Sequence, residues 1–413
     1  MKNKSKVVLP QNWITTKFKY FFETSKGLSI TKENLSESGI PVISYGQVHS
    51  KYGVKVDSNK DILPFISEDY LKYKQSLLNQ GDYIFADTSE DIEGSGNFST
   101  KLNDNSLLFA GYHTIIARLM DKENNDFRYF MYLFASEWFR DQVRNSVSGV
   151  KVFSITQAIL KNTEVIVPSA LTEQKAIADF LDGESVKFDK AAKLISDEIA
   201  TLKAYKKSLI YEAVTKGLDV GSELKDDSLD YANEINVDWI RTKVKFICSM
   251  KSGDFIPAEN IEEDGNFPVY GANGLRGFAE RYNTDGEFLT VGRQGAWSGN
   301  VHYVNGKFWA TEHALVTTPK DVNIKFLYFL IETMNLNQYA TNAAQPGLAA
   351  SEILNLPCCI PSNLTEQQKI ADYLDEKTKQ VDDIITIKEA QLSNLTKQRK
   401  GLIYDVVTGK RDV

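Results

Sequence analysis

The chain has 413 residues, 42% of them hydrophobic and 25% charged, with a formal net charge of −7. That length suits two or three domains, and no apolar run nears the roughly 18 residues of a membrane-crossing helix, so no membrane partner is expected. Three cysteines, Cys248, Cys358 and Cys359, are too few for a disulfide framework and fit a reducing cytoplasm, the compartment expected for this chain.

Residues 1–10 are lysine-rich and lack the apolar stretch of a signal peptide. Residues 1–32 carry Lys2, Lys4, Lys6, Lys17, Lys19, Lys26 and Lys32 against the single acid Glu23. A negative total with a basic patch is compatible with nucleic acid, because the field on one face decides. Short runs at 39–44 and 82–86, bounded by Gly and Asp, read as strands. Residues 127–144 read as helical. From Pro168 onward the pattern changes: Leu181, Phe188, Ala192, Ile195, Ile199, Leu202, Leu209 and Ala213 alternate at spacings of three and four. This predicts one long helix to about Thr215, capped near Thr172, with a break near Asp182-Gly183.

Residues 219–238 are acidic (Asp219, Glu223, Asp226, Asp227, Asp230, Glu234, Asp238 against Lys225), a surface suited to a protein partner. Strand-like (286–291) and glycine-rich (270–277, 292–299) segments follow, then a helix over 324–339. A second long helix is expected to about Thr408. Its seam is Leu374, Val381, Ile385, Leu392, Leu395, Leu402 and Val406, with an N-cap near Thr365. Lys206, Lys388 and Arg399 interrupt the seams.

The two helical blocks are copies. LTEQKAIADFLD begins at Leu171 and LTEQQKIADYLD at Leu364, an offset of 364 − 171 = 193. The offset holds without a gap from Val167/Ile360 to Val220/Val413, and about 21 of these 54 aligned pairs are identical. A second match opens each half, NWITTKFKYF at 12–21 and DWIRTKVKFI at 238–247. Matched helices usually stack on each other, so the pair is expected to form an antiparallel coiled coil. The fold class expected is α+β: two mixed α/β domains separated by two long helices, with a pseudo-two-fold internal repeat. The boundaries are 1–166, 167–218, 219–359 and 360–413.

Catalytic signatures are missing. Residues 299–307 have the wrong spacing for a phosphate-binding loop, and Gly94-Ser-Gly-Asn reads as a turn. There is no Asn/Asp-Pro-Pro-aromatic motif of amino-methylating DNA enzymes and no nuclease-like set of carboxylates. Asp375-Glu376-Lys377 fits a solvated helix face. His49, His113, His302 and His313 show no metal-ligand spacing with cysteine. His113 and His313 each precede an apolar strand-like run, so they are candidate equivalent positions with a structural role. No cofactor or metal is expected. What remains is recognition chemistry. Asn273, Arg276, Arg293, Gln294 and Gln345 lie in glycine-rich loops of the second variable block. Thr88, Ser89, Arg144 and Lys151 lie in or near loops of the first. Arg, Asn and Gln can contact base edges in pairs of hydrogen bonds, and Lys and loop amides can contact phosphates.

These motifs together resemble the specificity subunit of type I restriction-modification systems, over the whole chain. The resemblance rests on the paired Leu-Thr-Glu-Gln motifs at 171 and 364, on Leu-Ile-Tyr-Glu/Asp at 209 and 402, and on Trp13 and Trp239. It rests also on Gly292-Arg-Gln-Gly-Ala-Trp-Ser-Gly with Phe308-Trp-Ala-Thr-Glu-His, which looks like a target recognition domain of that family. The first variable block departs more from that pattern. The resemblance implies that each variable block reads one half of a split double-stranded DNA site. The helical blocks would form a spacer and dock two methyltransferase (modification) subunits. Restriction/translocase subunits would join for cleavage, and those partners would bind S-adenosylmethionine and ATP. The competing classes are a coiled-coil scaffold that binds only protein, and a fused enzyme, which would need the catalytic motifs that are missing.

Overall fold

The computed structural model describes residues 9–50, 52–149, 151–219, 221–340 and 347–413. It divides into two compact units, residues 1–194 with 391–413 and residues 195–390.

In the first unit the opening strand Trp13–Lys17 pairs antiparallel with Glu164–Pro168. A five-stranded sheet follows in the order Phe22–Lys26, Thr114–Leu119, Tyr83–Ala86, Phe98–Lys101, Lys55–Val56. Against it packs the helix Phe127–Ala135, whose Asp126 side chain accepts from the Arg128 amide at the N-cap. The core is aromatic: Phe18, Phe22, Phe85, Phe134 and Phe139 are buried side by side. Such rings bury much apolar area each and hold one another edge-on or tilted, which makes a stiff support for loops.

The second unit repeats this frame. Its strand Ile240–Lys243 pairs antiparallel with Pro357–Ile360. The sheet has six strands, ordered Cys248–Ser252, Ala314–Pro319, Thr284–Gly292, Val301–Ala310, Phe267–Gly271, Gly274–Ala279. The helix Ile324–Thr333 takes the place of Phe127–Ala135 and is capped by Asn323. The three cysteines are free and buried, and burial pushes the Cys248 and Cys358 thiols up to about 12.

The duplicated Thr-Glu-Gln acquires its meaning here. Trp13 Nε1 donates to Glu173 at 2.8 Å, and Trp239 Nε1 to Glu366 at 3.0 Å. Gln174 is 1% exposed and Gln367 2%. Gln174 Oε1 accepts from the Asp126 amide (3.0 Å) and its Nε2 donates to the Pro168 carbonyl (3.0 Å). Gln367 does the same with Asn323 and Pro361, at 2.8 Å each. Each glutamine thus satisfies two buried backbone groups that would otherwise lack partners, at the joint between sheet, short helix and long helix. A cation completes the joint: Arg128 bonds Asp179 and Asp182 in one unit, and Lys325 bonds Asp375 in the other.

The long helices are Leu171–Lys216 and Leu364–Val407, and each passes from one unit into the other. Within each unit the segments lie antiparallel. In the first, Ile177 and Leu181 share a core with Ile403, Val406 and Val407, and Arg399 bonds Asp189 at 2.6 Å. In the second, Ile199 packs with Val381 and Ile385. The cations that interrupt the apolar seam are each paired with a carboxylate, Lys206 with Asp382 and Lys388 with Glu198. Each helix ends on a glycine of positive φ, Gly217 (85°) and Gly409 (69°), the left-handed turn glycine favours.

Two expectations are corrected. The first helix does not break at Gly183; a helical glycine costs about 1 kcal/mol, and neighbouring Asp182 is anchored by Lys55 (2.9 Å), Tyr132 (2.7 Å) and Arg128 (3.2 Å). Thr172 and Thr365 lie inside the first turns rather than at the caps. Asn363 caps the second helix, its side chain accepting from the Thr365 amide at 2.8 Å. Within the acidic stretch a hairpin forms, Leu224–Leu229 with Ala232–Asn236. Leu229, Ala232 and Ile235 pack against Cys359, and Asp227 bonds Arg241 at 2.6 Å.

Candidate nucleic-acid interface

In each unit one polar site lies beyond the end of a central strand. In the first unit, Tyr83–Ala86 runs out into Asp87 and the short strand Thr88–Ser89, which pairs with Phe153–Ser154. Beside it opens a cavity of about 680 Å³ whose lining includes Tyr45, His49, Thr88, Ser89, Glu93 and Val152. His49 bridges the Thr88 carbonyl (2.6 Å) and Asn97 (3.0 Å). His113, in the left-handed region at φ 55°, faces Asp87 at 3.1 Å.

The structure brings the four predicted residues of this block around one loop, residues 89–94, in different states. Thr88 donates to Asp87 at 2.7 Å. Ser89 is buried and accepts from the Asp91 amide. Lys151 is exposed next to Val152 of the lining. Arg144 ends the helix Glu137–Arg144, at the edge of a loop. Its side chain is 11% exposed and held by Glu137 (2.6 Å), Glu93 (3.2 Å) and Asp141 (3.2 Å). Three carboxylates hold its two terminal nitrogens, so Arg144 anchors the loop through Glu93.

In the second unit the strand Thr284–Gly292 runs out into Arg293 and Gln294, then the turn Gly295–Trp297. Asn273 lies in the neighbouring hairpin and meets Asn300 at 3.4 Å. Arg276 lies on the edge strand Gly274–Ala279 rather than in a loop, exposed. Gln345 lies outside the described residues. Arg293 donates to Ser252 at 3.3 Å. Among the described residues, the buried side-chain atoms of this unit without a hydrogen-bond partner are Thr290 Oγ1, Arg293 Nε, His302 Nε2, Glu312 Oε2 and His313 Nδ1. Thr290 lies opposite His302 in the sheet, and the Arg293 amide bonds the His313 carbonyl, so the five gather around one strand end. Buried polar groups are normally paired, so these atoms keep hydrogen-bonding capacity in hand, as do six among the described residues of the first unit, including Arg140 Nε and Arg144 Nε. Burial lowers the basicity of His302. Trp297, 54% exposed beside these groups, adds an aromatic face.

Sequence reasoning missed Tyr45, His49, Asp87, Ser252 and His302. Only the matched positions of His113 and His313 hinted at them, because a partner across a sheet leaves no local pattern. No group of three or more His, Cys, Asp or Glu among the described residues could hold a metal ion, and no helix among them is long and apolar enough to cross a membrane.

Two copies of one α/β frame, each carrying a polar site at a strand end and joined through paired long helices, define a class of duplicated recognition protein. The comparisons give the family. The type I restriction modification DNA specificity domain matches residues 10–204 and 236–397, and the chain belongs to that family. It is 37% identical over 179 residues to the type I restriction enzyme EcoprrI specificity subunit of Escherichia coli, over 41% of this chain and 44% of that one. It thus spans under half the length of that relative. To the MjaVIII specificity subunit of Methanocaldococcus jannaschii it is 22% identical over 405 residues, 87% and 89% of the two chains. A chain from a structure on complex assembly and conformational transition of the type I R-M system shares the fold, with TM-score 0.69 and 15% identity over 97% of this chain and 98% of that one. The HsdS subunit from Thermoanaerobacter tengcongensis gives 0.51, at 15% identity over 98% and 99%.

Proposed function

We propose that this chain is the sequence-reading subunit of a type I restriction-modification complex and has no catalytic centre of its own. Residues 1–166 and 219–359 act as target recognition domains, each reading one half of a bipartite double-stranded DNA site. Residues 167–218 and 360–413 act as the helical spacer on which two modification subunits assemble; restriction/translocase subunits join for cleavage. The observation that carries this reading is the duplicated frame, alike in its joints and different in its sites. A protein that needs the same support twice but two unlike polar surfaces is built to recognise two unlike halves of one ligand. Asn273, Arg276, Arg293 and Gln294 supply donors and acceptors for base edges or phosphates in the second unit, with Gln345 a candidate beside them. Thr88, Ser89 and Lys151 do so in the first. The cytoplasm, where its DNA lies, is the expected compartment.

The test is reconstitution. The purified chain alone, with S-adenosylmethionine, ATP and magnesium, is expected to neither methylate nor cut DNA. With its modification subunits it is expected to bind and methylate a bipartite site. Methylation or cleavage by the rigorously purified single chain would overturn the non-catalytic reading. A complex that forms but never binds DNA specifically would leave a protein scaffold instead.

A further inference from the structure

The two polar sites match in their backbone hydrogen bonds. In the first unit the Asp87 amide donates to the His113 carbonyl (3.1 Å) and the Asp87 carbonyl accepts from the Ile155 amide (2.8 Å). In the second, the Arg293 amide donates to the His313 carbonyl (3.0 Å) and the Arg293 carbonyl accepts from the Leu348 amide (2.8 Å). The next residues continue the match: Thr88 pairs with Ser154, and Gln294 bridges to Gly347. Behind them, Gly27 bonds the Thr114 carbonyl and Leu28 the Ala110 carbonyl, while Gly253 bonds Ala314 and Asp254 bonds Ala310. Asp87 and Arg293 therefore occupy one position of a shared frame, each the first residue beyond a central strand, fixed through both its backbone groups.

At that one position the chemistry is reversed. Asp87 is an acceptor; its Oδ1 already takes the Thr88 hydroxyl and faces His113. Arg293 is a donor whose Nε is buried without a partner among the described residues. A carboxylate at a base edge accepts from an exocyclic amine, above all cytosine N4, whereas a guanidinium donates to guanine O6 and N7. A backbone held on both sides is what a reading residue needs, since a loosely held side chain loses discrimination.

Resting on the reading of the chain as a DNA-recognition subunit, we propose that Asp87 and Arg293 are the equivalent specificity-determining residues of the two units. Asp87 selects an amine-bearing base in one half-site and Arg293 a guanine in the other. Thr88 and Gln294 flank them and tune the neighbouring base.

The experiment uses the complex with its modification subunits and maps methylated sites for wild type, Asp87→Asn, Arg293→Gln and Arg293→Lys. Competition binding is measured on duplexes altered one base pair at a time. Asp87→Asn should lower discrimination at one amine-bearing base of one half-site roughly 5- to 150-fold, leaving the other half-site intact. Arg293→Gln should do the same at one guanine of the other half-site. Arg293→Lys keeps the charge but loses the fork, so it should relax that guanine too. Melting curves identify a variant that fails to fold, in which case Asp87→Glu or Arg293→Lys carries that arm. An equal loss of affinity on every duplex, with Arg293→Lys behaving as wild type, would mark a phosphate contact and overturn the proposal for Arg293. A bipartite motif untouched by the variants would remove this inference and leave the recognition reading standing. A wild-type complex with no bipartite motif would remove the reading beneath it.

Discussion

In the first unit the segment beyond Tyr83–Ala86 carries Asp87, Glu90, Asp91 and Glu93, and nearby Arg144 is drawn into ion pairs. In the second, the segment beyond Thr284–Gly292 carries Arg293 and Gln294 amid five buried polar atoms without partners among the described residues. Beneath these unlike surfaces the joints are the same: a tryptophan held by a glutamate, a glutamine holding a proline carbonyl and a helix N-cap amide. The difference teaches where each kind of constraint acts. Joints bury polar groups and tolerate few side chains, so both copies keep them. Sites face outward, and their chemistry can change while the frame stands.

Breaking a joint should have the largest effect. Gln174→Leu leaves the Asp126 amide and Pro168 carbonyl buried without partners, at about 1–3 kcal/mol for each group. Chemical denaturation should report that loss in the first unit. Gln367→Leu should produce a loss of the same size in the second, and unequal losses would argue that the joints are not equivalent.

A site substitution should behave oppositely. Arg276 is exposed, so Arg276→Ala should leave the melting temperature nearly unchanged. If Arg276 meets a base edge, specific binding should weaken by about 1–3 kcal/mol. A uniform loss across all sequences would assign it to a phosphate, and no loss would remove it from the site.

Acid should act on the first joint by a smaller amount. Burial raises the Asp182 carboxyl, but bonds from Lys55 and Tyr132 and the charge of Arg128 outweigh it, and the net direction is down. A carboxyl lowered in the folded state contributes stability above its ordinary value and loses it as pH falls through the lowered one. Thermal melts taken between about pH 6 and about pH 3 should therefore show a shallower acid loss for Asp182→Asn than for wild type.

The smallest effect is expected on the helix pair. The Lys388–Glu198 bond is solvent-accessible, and Lys388→Ala should cost less than about 1 kcal/mol. A larger cost would mean that the seam depends on these charges rather than on Ile199, Val381 and Ile385.

The helices were legible because a spacing of three and four over more than forty residues has few alternative explanations, and because it occurs twice. The repeat also exposed Thr-Glu-Gln as important without saying why; the role of Gln174 lies in groups 48 residues away at Asp126 and in the Pro168 carbonyl. The uninterrupted helix at Gly183 was not legible, since the anchors of Asp182 come from Lys55, Arg128 and Tyr132, distant in sequence. Arg293 and Gln294 could be picked out as recognition residues from their glycine-rich setting. Asp87 could not, because an aspartate after a strand is ordinary until the His113 carbonyl is found bonded to its amide. The sequence places Arg144 at the end of a helical run beside a loop, and only the fold shows three carboxylates around it.

The central claim is that each unit reads its own half of the DNA site on a shared frame. The direct measurement replaces residues 14–165 with the corresponding block of a related specificity subunit and maps methylated sites in cells carrying the assembled complex. One half-site should change completely while the other, read by the untouched second unit, stays as it was. A change in both half-sites, or in neither with methylation retained, would contradict the account.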